Sequence, residues 1–213
     1  MTGLRQKVIL QHKIAFRSWK VEWGRDDTLV LRSIFMPQEW TPREELVARC
    51  GTSDKLTRGI CSASCGKDTP NEYGHCGIWA LDSLEASLFP PGMAPLYLSG
   101  RVAGEVKIWG NILEGTREGR QGFRAQYAYP RSLMRVVCGV GSCSAICDIS
   151  KTHLVVRTGN EKLAAQRMGF EETSLNIVCT AHKRVLDGHS SRVVREPGWH
   201  EELSELYGLS RAA

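Results

Sequence analysis

The sequence predicts an α+β fold, built on a largely antiparallel sheet with a long central hairpin and a few short helices. Three observations lead to this prediction. Residues 100–130 alternate apolar and polar side chains on both sides of a glycine-rich run. Several shorter segments repeat the same period of two, which is typical of strands with one buried face. Only a few brief segments carry the signals of a helix start.

Size and composition limit the class of protein. The chain has 213 residues, 42% of them hydrophobic, which is enough for one sizeable packed domain. The net charge of +5 is a mild excess that permits an acidic partner without requiring one. Apolar runs are too short for a membrane span or a signal peptide. We therefore expect a cytoplasmic protein with no membrane association, whose eight cysteines are reduced or metal-bound.

The domain prediction follows from a change of composition near the end of the chain. We expect a single α+β domain over residues 1–181, followed over residues 182–213 by a basic linker and a C-terminal amphipathic helix. The linker prediction rests on the polar, basic run from 182 to 198. In the helix, Trp199, Leu203, Leu206 and Tyr207 share one face, and Gly208 can end it.

The first half of the chain alternates strand and helix signals. Residues 14–23 and 28–35 are predicted as strands joined by a turn at 24–27. The run TPREELVARC (41–50) predicts a helix, because Thr41 can cap it and Glu44 completes a capping box. A short buried strand is predicted at 77–81, followed by a helix that Asp82 and Glu85 cap in the same way.

The central hairpin is predicted from its apolar period. Even-numbered positions from 102 to 112 are apolar or glycine, whereas Arg101, Glu105 and Lys107 lie between them. The run GTREGRQG (115–122) is predicted as the hairpin loop. The chain then returns with aromatic residues at alternate positions, and Pro130 ends the strand because proline has no backbone N–H.

The segment after the hairpin predicts a strand–helix–strand unit. Residues 152–158 and 174–181 have the composition of strands, and Asn160 can cap a helix between them. A unit of this kind can add a parallel βαβ element to the sheet.

Two cysteine clusters are candidate structural zinc sites, since thiolates and imidazole are the usual zinc ligands. The second cluster, which contains Cys138, Cys143 and Cys147, needs a fourth ligand, and Cys50, Cys179 or His153 could supply it. A single site built from both clusters is also possible. The alternative is buried, reduced thiols that pack as small hydrophobic residues. A nucleophilic cysteine beside His75 is a further option. The candidate metal ligands are Cys61, Cys65, His75 and Cys76 in the first cluster, and Cys138, Cys143 and Cys147 in the second.

The hairpin also carries the candidate contact surface for a partner. Arg117, Arg120 and Arg124 could follow phosphates while Tyr127 and Tyr129 stack on bases. The alternative is a solvated loop whose positive charge is diluted by its acidic residues. The partner, whether protein or nucleic acid, is left open.

Three motifs together resemble those of a group of small bacterial and phage proteins with no established function. The motifs here are CGIWAL (76–81), GEVKIWG (104–110) and GFRAQYAYP (122–130). The group has the pattern CGIYAL, then GxVxLWGxV, then GxRAExAYP. The resemblance covers about residues 15–135 and implies a bacterial or phage origin, without implying an activity.

A second, local resemblance involves GHCGIWALDSLEASLF (74–89), which is similar to a segment of the ADP-ribosyltransferase fold. In that fold a serine after the strand helps to hold the nicotinamide ribose. The resemblance implies Ser83 and Ser87 as the matching positions, with Glu105 or Glu114 as candidates for a catalytic carboxylate.

These observations favour a non-enzymatic binding protein that acts on a macromolecular partner, stabilised by zinc if the cysteines hold it. The sequence has no Walker A loop, dinucleotide fingerprint or serine nucleophile elbow. The alternative is an ADP-ribosyltransferase-like or nucleotide-binding enzyme with a pocket around residues 75–88.

Overall fold

A computed structural model describes residues 12–24, 28–34, 38–48, 76–88, 100–117, 119–139, 146–157, 175–186, 191–195 and 197–210. These residues form mostly antiparallel strands and a few short helices, which confirms the predicted α+β class. The chain divides into two compact units. Unit 1 contains residues 1–17, 44–91 and 105–131, and unit 2 contains residues 18–43, 92–104 and 132–213. Unit 2 thus includes residues on both sides of the boundary expected at position 181.

Unit 1 is built on the central hairpin. Strand β6 (Arg101–Arg117), which enters unit 1 at Glu105, pairs antiparallel with β7 (Arg120–Pro130). Strand β5 (Ile78–Leu81) pairs with β7 and, through Leu81, with Phe16 of β1 (Lys13–Trp23). The side chains that fill the core of this unit come mainly from alternate positions of these strands. They include Ile78, Ala80, Val106, Ile108, Ile112, Phe123 and Ala125.

The hairpin is longer and its turn tighter than predicted. Gly115 pairs with Gly122 and Arg117 with Arg120, so the predicted loop over 115–122 is wrong at residues 115–117 and 120–122. Gly119 has φ 80°, the left-handed conformation that a two-residue hairpin turn needs and that glycine adopts without steric cost. An extra residue on β6 between Trp109 and Ile112 makes a bulge, where Gly110 has φ 76°.

The helix predicted over 41–50 is wrong. Leu46 and Val47 form the short strand β4, which pairs with Ala128 and Tyr127 of β7. The capping signal of TPREEL is local, and pairing with β7 satisfies the backbone of Leu46 and Val47 instead. The predicted helix after β5 is confirmed as α1 (Leu84–Leu88), but Ser83 caps it: its Oγ accepts from the N–H of Ala86 at 3.2 Å.

The first part of unit 2 contains antiparallel strands at one end of the larger sheet. The end of β1 pairs with β2 (Leu29–Ser33), which confirms the two predicted strands, and β2 pairs with β3 (Glu39–Trp40). The rings of Trp19 and Trp40 meet edge to face at 5.6 Å, and both are buried. The Trp40 Nε1–H donates to the Ser33 hydroxyl at 3.0 Å, so this buried indole keeps a hydrogen bond.

Two further strands of unit 2 extend from the first residues of β6. Strand β8 (Arg135–Val137) pairs with residues 101–103 and with β9 (Ile146–Asp148). At Gly104 a Cβ atom would lie 1.9 Å from the carbonyl oxygen of Ser132. Only glycine permits this close approach of two backbones. A 3₁₀ turn (Ile149–Lys151) follows β9.

A three-stranded sheet in unit 2 has the order β11–β10–β12. Strands β10 (Thr152–Arg157) and β11 (Leu175–Cys179) confirm the two predicted strands, but they pair antiparallel, so the predicted parallel βαβ unit is wrong. Antiparallel strands need no crossover connection. Part of the expected linker is structured: helix α2 (Thr180–Leu186) follows β11, and β12 (Ser191–Arg195) pairs with β10. The helix predicted after Asn160 lies outside the described residues.

The predicted C-terminal helix is confirmed as α3 (Trp199–Tyr207), which packs within unit 2. Trp199, Leu203 and Tyr207 are buried, and the Trp199 Nε1–H donates to the hydroxyl of Thr152 at 3.2 Å. Gly208 ends the helix with φ 62°. The N–H groups of Gly208 and Leu209 then satisfy carbonyls of the last turn, which is the Schellman arrangement.

Candidate metal centre

Two cysteines and a histidine come together in unit 2. Cys138 directly follows β8, Cys179 is the last residue of β11, and His182 lies in the first turn of α2. The ligand atoms of these three residues all lie within 4.8 Å of one another. We call this group the thiol–histidine cluster.

The three ligand atoms are close enough to one another to share a metal ion. His182 Nδ1 is 3.0 Å from Cys179 Sγ and 3.7 Å from Cys138 Sγ. Ligand atoms bound to one tetrahedral zinc lie about 3.5 Å apart, given Zn–S and Zn–N bonds near 2.3 and 2.0 Å. The N–H of Cys179 points at Cys138 Sγ, 3.5 Å away, and so orients that sulfur.

Local sequence explains why these side chains converge. Only two residues separate Cys179 from His182, and helix α2 begins at Thr180. The first helical turn therefore brings the imidazole back over the end of the strand. Val155 and Val178 pack with Cys138 and Cys179 in one buried apolar cluster, which shields the sulfurs from water.

The environment of Cys179 also changes its acidity. Burial by itself would raise the pKa of the thiol. Hydrogen bonds from His182 and Cys138, with the charge of His182, act in the opposite direction and lower the pKa from 9.0 to about 7. Hence a large share of Cys179 is thiolate at neutral pH, and thiolate is the form that binds metals.

The sequence prediction included two of the three members of this cluster. Cys138 was a candidate ligand and Cys179 a candidate fourth ligand, whereas His182 was assigned to a linker. The spacing of two residues between Cys179 and His182 is the signal that could have identified it. His153 lies on β10, opposite Val178, and Cys147 lies on β9, opposite Val136.

The first predicted cysteine cluster is only partly described. Its described member, Cys76, is buried at the start of β5 in unit 1. Its carbonyl accepts a hydrogen bond from Arg124 Nη1 at 3.3 Å. Five of the other candidate ligands lie outside the described residues: Cys61, Cys65 and His75 of the first cluster, Cys143 of the second, and Cys50, a possible fourth ligand of the second.

The predicted arginines of the hairpin occupy different environments. Arg120 donates to the carbonyl of Ala86 at 2.7 Å, within unit 1. Arg124 is only 6% exposed, and its guanidinium lies 5.7 Å from the ring centroid of Trp79. Burial leaves Arg124 little surface for a phosphate contact. Arg117 ends β6, and its side chain lies outside the description.

One face of the hairpin carries half-buried aromatic side chains. Tyr127 pairs with Trp109, and Tyr129 with Lys107; because paired residues point to the same face, all four side chains project together. Val47 joins them, because it pairs with Tyr127 from β4. Lys107 is exposed and the three aromatic residues are half-buried. We call these five residues the hairpin face.

The segment that resembles ADP-ribosyltransferases has internal partners. Ser83 caps α1, and the buried Ser87 hydroxyl donates to the carbonyl of Leu84 at 2.7 Å. Of the two candidate carboxylates, Glu114 is 3.4 Å from Lys13 and Glu105 is 3.5 Å from Arg131. A groove of about 1010 Å³ lies elsewhere, in unit 2, where its lining includes Asp148, His200 and Glu205.

Comparison of the chain with family models, with curated proteins and with solved structures found no match. Across the described parts of the chain, no helix is long and apolar enough to cross a membrane.

Proposed function

We propose that this is a non-enzymatic binding protein, which contacts a single-stranded nucleic acid through the hairpin face and holds a structural zinc ion in the thiol–histidine cluster. The hairpin face is the observation that carries the proposal. Reduced cysteine ligands fit a reducing compartment, so the proposal also assigns the protein to the cytoplasm.

The shape of the hairpin face suits stacking. The rings of Trp109 and Tyr127 are stacked, with centroids 5.9 Å apart and planes inclined by 21°. Val47, beside them, is 42% exposed, although it is a large hydrophobic residue. Half-buried aromatic rings on a sheet offer flat, partly accessible apolar surfaces at low conformational cost, and a nucleic acid base can stack on such a surface.

Charge at the edge of the hairpin face favours a nucleic acid over an apolar partner. Lys107 is exposed and directly opposite Tyr129, so its ammonium group lies beside the aromatic surface. A cation in this position can contact a phosphate while the rings contact the bases. The guanidinium of Arg131, one position beyond Pro130 and 47% exposed, is ion-paired with Glu105 at 3.5 Å, so the proposal assigns the phosphate contact to Lys107.

A binding titration tests the nucleic acid proposal. We expect the protein to bind a single-stranded oligonucleotide more tightly than the matching duplex, with tryptophan fluorescence quenched on binding. Trp109→Ala should weaken binding about 5–150-fold, because one stacked base contributes about 1–3 kcal/mol. Lys107→Glu should also weaken binding, and its loss of affinity relative to wild type should be larger at low salt than at high salt. Lys151→Glu, an exposed control in unit 2, should leave the affinity close to that of wild type.

Two results would reject the nucleic acid proposal. One is no measurable binding at low salt, where phosphate contacts are strongest. The other is binding that Trp109→Ala and Lys107→Glu leave unchanged. If the same variants abolish binding to a protein, the hairpin face is a contact surface but the proposed partner class is wrong.

The burial of the thiol–histidine cluster supports a structural zinc ion. Cys138 is 2% exposed and Cys179 8% exposed. A nucleophilic thiol has to reach a substrate, whereas structural metal ligands are enclosed by protein. Sulfur and imidazole donors together select zinc over the harder cations magnesium and calcium.

Native mass spectrometry beside the denatured mass tests the zinc proposal. We expect the purified protein to carry one zinc, which Cys179→Ser and His182→Ala remove. Cys76→Ser is the matched control, because Cys76 is also buried but lies in unit 1, outside the cluster. A metal-free protein that takes up no zinc on addition would contradict the proposal.

A further inference from the structure

We infer that Cys147 is the fourth ligand of the proposed zinc site, which makes the site a closed Cys₃His centre. The inference rests on the proposed binding of zinc by Cys138, Cys179 and His182. It adds the residue that completes the coordination and so determines which class of zinc site this is.

A three-residue cluster leaves one position of a tetrahedral zinc open. Structural sites fill all four positions with protein ligands, whereas catalytic sites keep a water molecule or substrate in the fourth. The identity of the fourth ligand therefore separates a structural zinc from a catalytic one.

Strand pairing directs Cys147 toward Cys138. Cys147 on β9 pairs with Val136 on β8, and paired residues of antiparallel strands point to the same face. Cys138 follows Val136 by two residues, so the alternation along an extended chain directs it to that face as well. On β9, Ile146 and Asp148 are exposed and Cys147 is half-buried, as expected if its thiol points inward.

Packing supports the same assignment. Cys147 packs against the buried cluster that Cys138, Val155, Val178 and Cys179 form. Cys147 thus lies beside this cluster, although its sulfur is not among the ligand atoms that lie within 4.8 Å of one another. A change of rotamer at a cysteine side chain needs no movement of the backbone, and a bound zinc ion would supply the favourable energy for it.

The completed centre would connect four elements of unit 2. Cys138 follows β8, Cys147 belongs to β9, Cys179 ends β11 and His182 begins α2. One ion would therefore tie the β8–β9 strand pair to the end of the three-stranded sheet. With no coordination position left for substrate, the zinc would stabilise the fold without taking part in a reaction.

Cobalt substitution and a zinc competition assay on the full chain test the inference. The cobalt-loaded wild type should show the tetrahedral visible spectrum, with thiolate charge-transfer absorption from three sulfurs. Cys147→Ser should lose one third of that absorption. It should also bind zinc about 100-fold more weakly or worse, because even an outer-shell partner is worth about 10–100-fold.

Two further variants keep the test decisive. Cys147→His retains a ligand at this position, so it should recover most of the zinc affinity while keeping the lower charge-transfer absorption. Cys143→Ser removes the neighbouring thiol and should change neither measurement.

The outcomes separate the two proposals. If Cys147→Ser matches wild type in spectrum and affinity, or if Cys143→Ser shows the losses instead, Cys147 is not the fourth ligand. Zinc binding by the other three residues would then still hold. If the wild type binds neither cobalt nor zinc, the zinc site itself is wrong, and the inference is wrong with it.

Discussion

The hydroxyl of Tyr207 donates a hydrogen bond to the backbone carbonyl of Trp40, and both residues are buried in unit 2. The same oxygen accepts from the N–H of Leu31 at 2.9 Å. One side-chain atom in α3 thus satisfies two backbone groups, on β2 and β3. Buried backbone groups without a partner are costly, so this atom stabilises two strands as well as its own helix.

Removing this hydroxyl should destabilise the protein measurably. Tyr207→Phe keeps the ring but leaves the Leu31 N–H without its acceptor, so we expect a loss of about 1–3 kcal/mol in the free energy of unfolding. Urea denaturation measures it, with a lower midpoint and an unchanged slope. Tyr127→Phe, on the half-buried hairpin face, is the control and should have little effect. Equal stability of the two variants would contradict the role assigned to Tyr207.

The close backbone approach at Gly104 makes a second prediction. Gly104→Ala places a methyl group 1.9 Å from the Ser132 carbonyl oxygen, so the two backbone segments have to separate. We expect a loss of about 3 kcal/mol or more, measured as a lower Tm. Gly119→Ala is the comparison, because φ is 80° there but no atom lies within 4 Å of the new Cβ. Gly119→Ala should lower the free energy of unfolding by about 1–2 kcal/mol, which is the cost of the left-handed conformation for a residue with a Cβ atom. A Gly104→Ala protein as stable as Gly119→Ala would refute this explanation.

The lowered pKa of Cys179 predicts how the stability of the metal-free protein depends on pH. The pKa is about 7 in the folded protein and 9.0 in its ordinary state. The folded state therefore favours the thiolate, which adds to the free energy of unfolding. This added stability is complete above pH 9, declines as the pH falls toward 7, and is absent below pH 7. Urea midpoints of wild type and Cys179→Ser, measured with chelator, should therefore diverge between pH 7 and pH 9. A constant difference across this range would show that the thiol is not perturbed.

Arg124 should matter for folding more than for contacts with a partner. Its buried guanidinium donates to the carbonyl of Cys76, and a hydrogen bond from a charged group contributes about 1.5–3 kcal/mol. Arg124→Met should lower the free energy of unfolding by about that amount. Arg131→Met, which removes a surface ion pair with Glu105, should cost less than about 1 kcal/mol. If Arg124→Met weakened oligonucleotide binding and left stability unchanged, the original expectation of a phosphate contact would be the better one.

The sequence predicted those elements in which the apolar positions follow the period of a strand or a helix and are buried. Val106, Ile108 and Ile112 alternate with polar residues and are fully buried, so the period of two located β6 correctly. In α3, the apolar spacing likewise predicted the helix and its packed face: Trp199, Leu203 and Tyr207 are buried, whereas Leu206, predicted on the same face, is half-buried.

The errors arise where a distant partner outweighs a local signal. Leu46 and Val47 carry helix signals, yet they pair with a strand that lies about eighty residues further along the chain. Arg124 was expected on the exposed face because it alternates with aromatic residues, but the carbonyl of Cys76 and the ring of Trp79 enclose it. Neither contact has any signature in the neighbouring sequence.

Only part of the candidate metal centre could be predicted, because it too depends on residues that are distant in the sequence. Cys138 and Cys179 are 41 residues apart, and only the fold shows that they are adjacent. By contrast, the pairing of Cys179 with His182 is visible as a spacing of two residues. The polar, basic composition around His182 concealed it by suggesting a linker.

The bond between Tyr207 and Leu31 has a consequence for biosynthesis. The two residues are 176 positions apart. At about 5–20 residues per second, translation takes roughly 10–35 s to cover that distance. During this interval the amide of Leu31 and the carbonyl of Trp40 have emerged from the ribosome without the hydroxyl that joins them. A nascent chain arrested before Tyr207 should therefore leave β2 and β3 open to proteases, and release of the full chain should protect them.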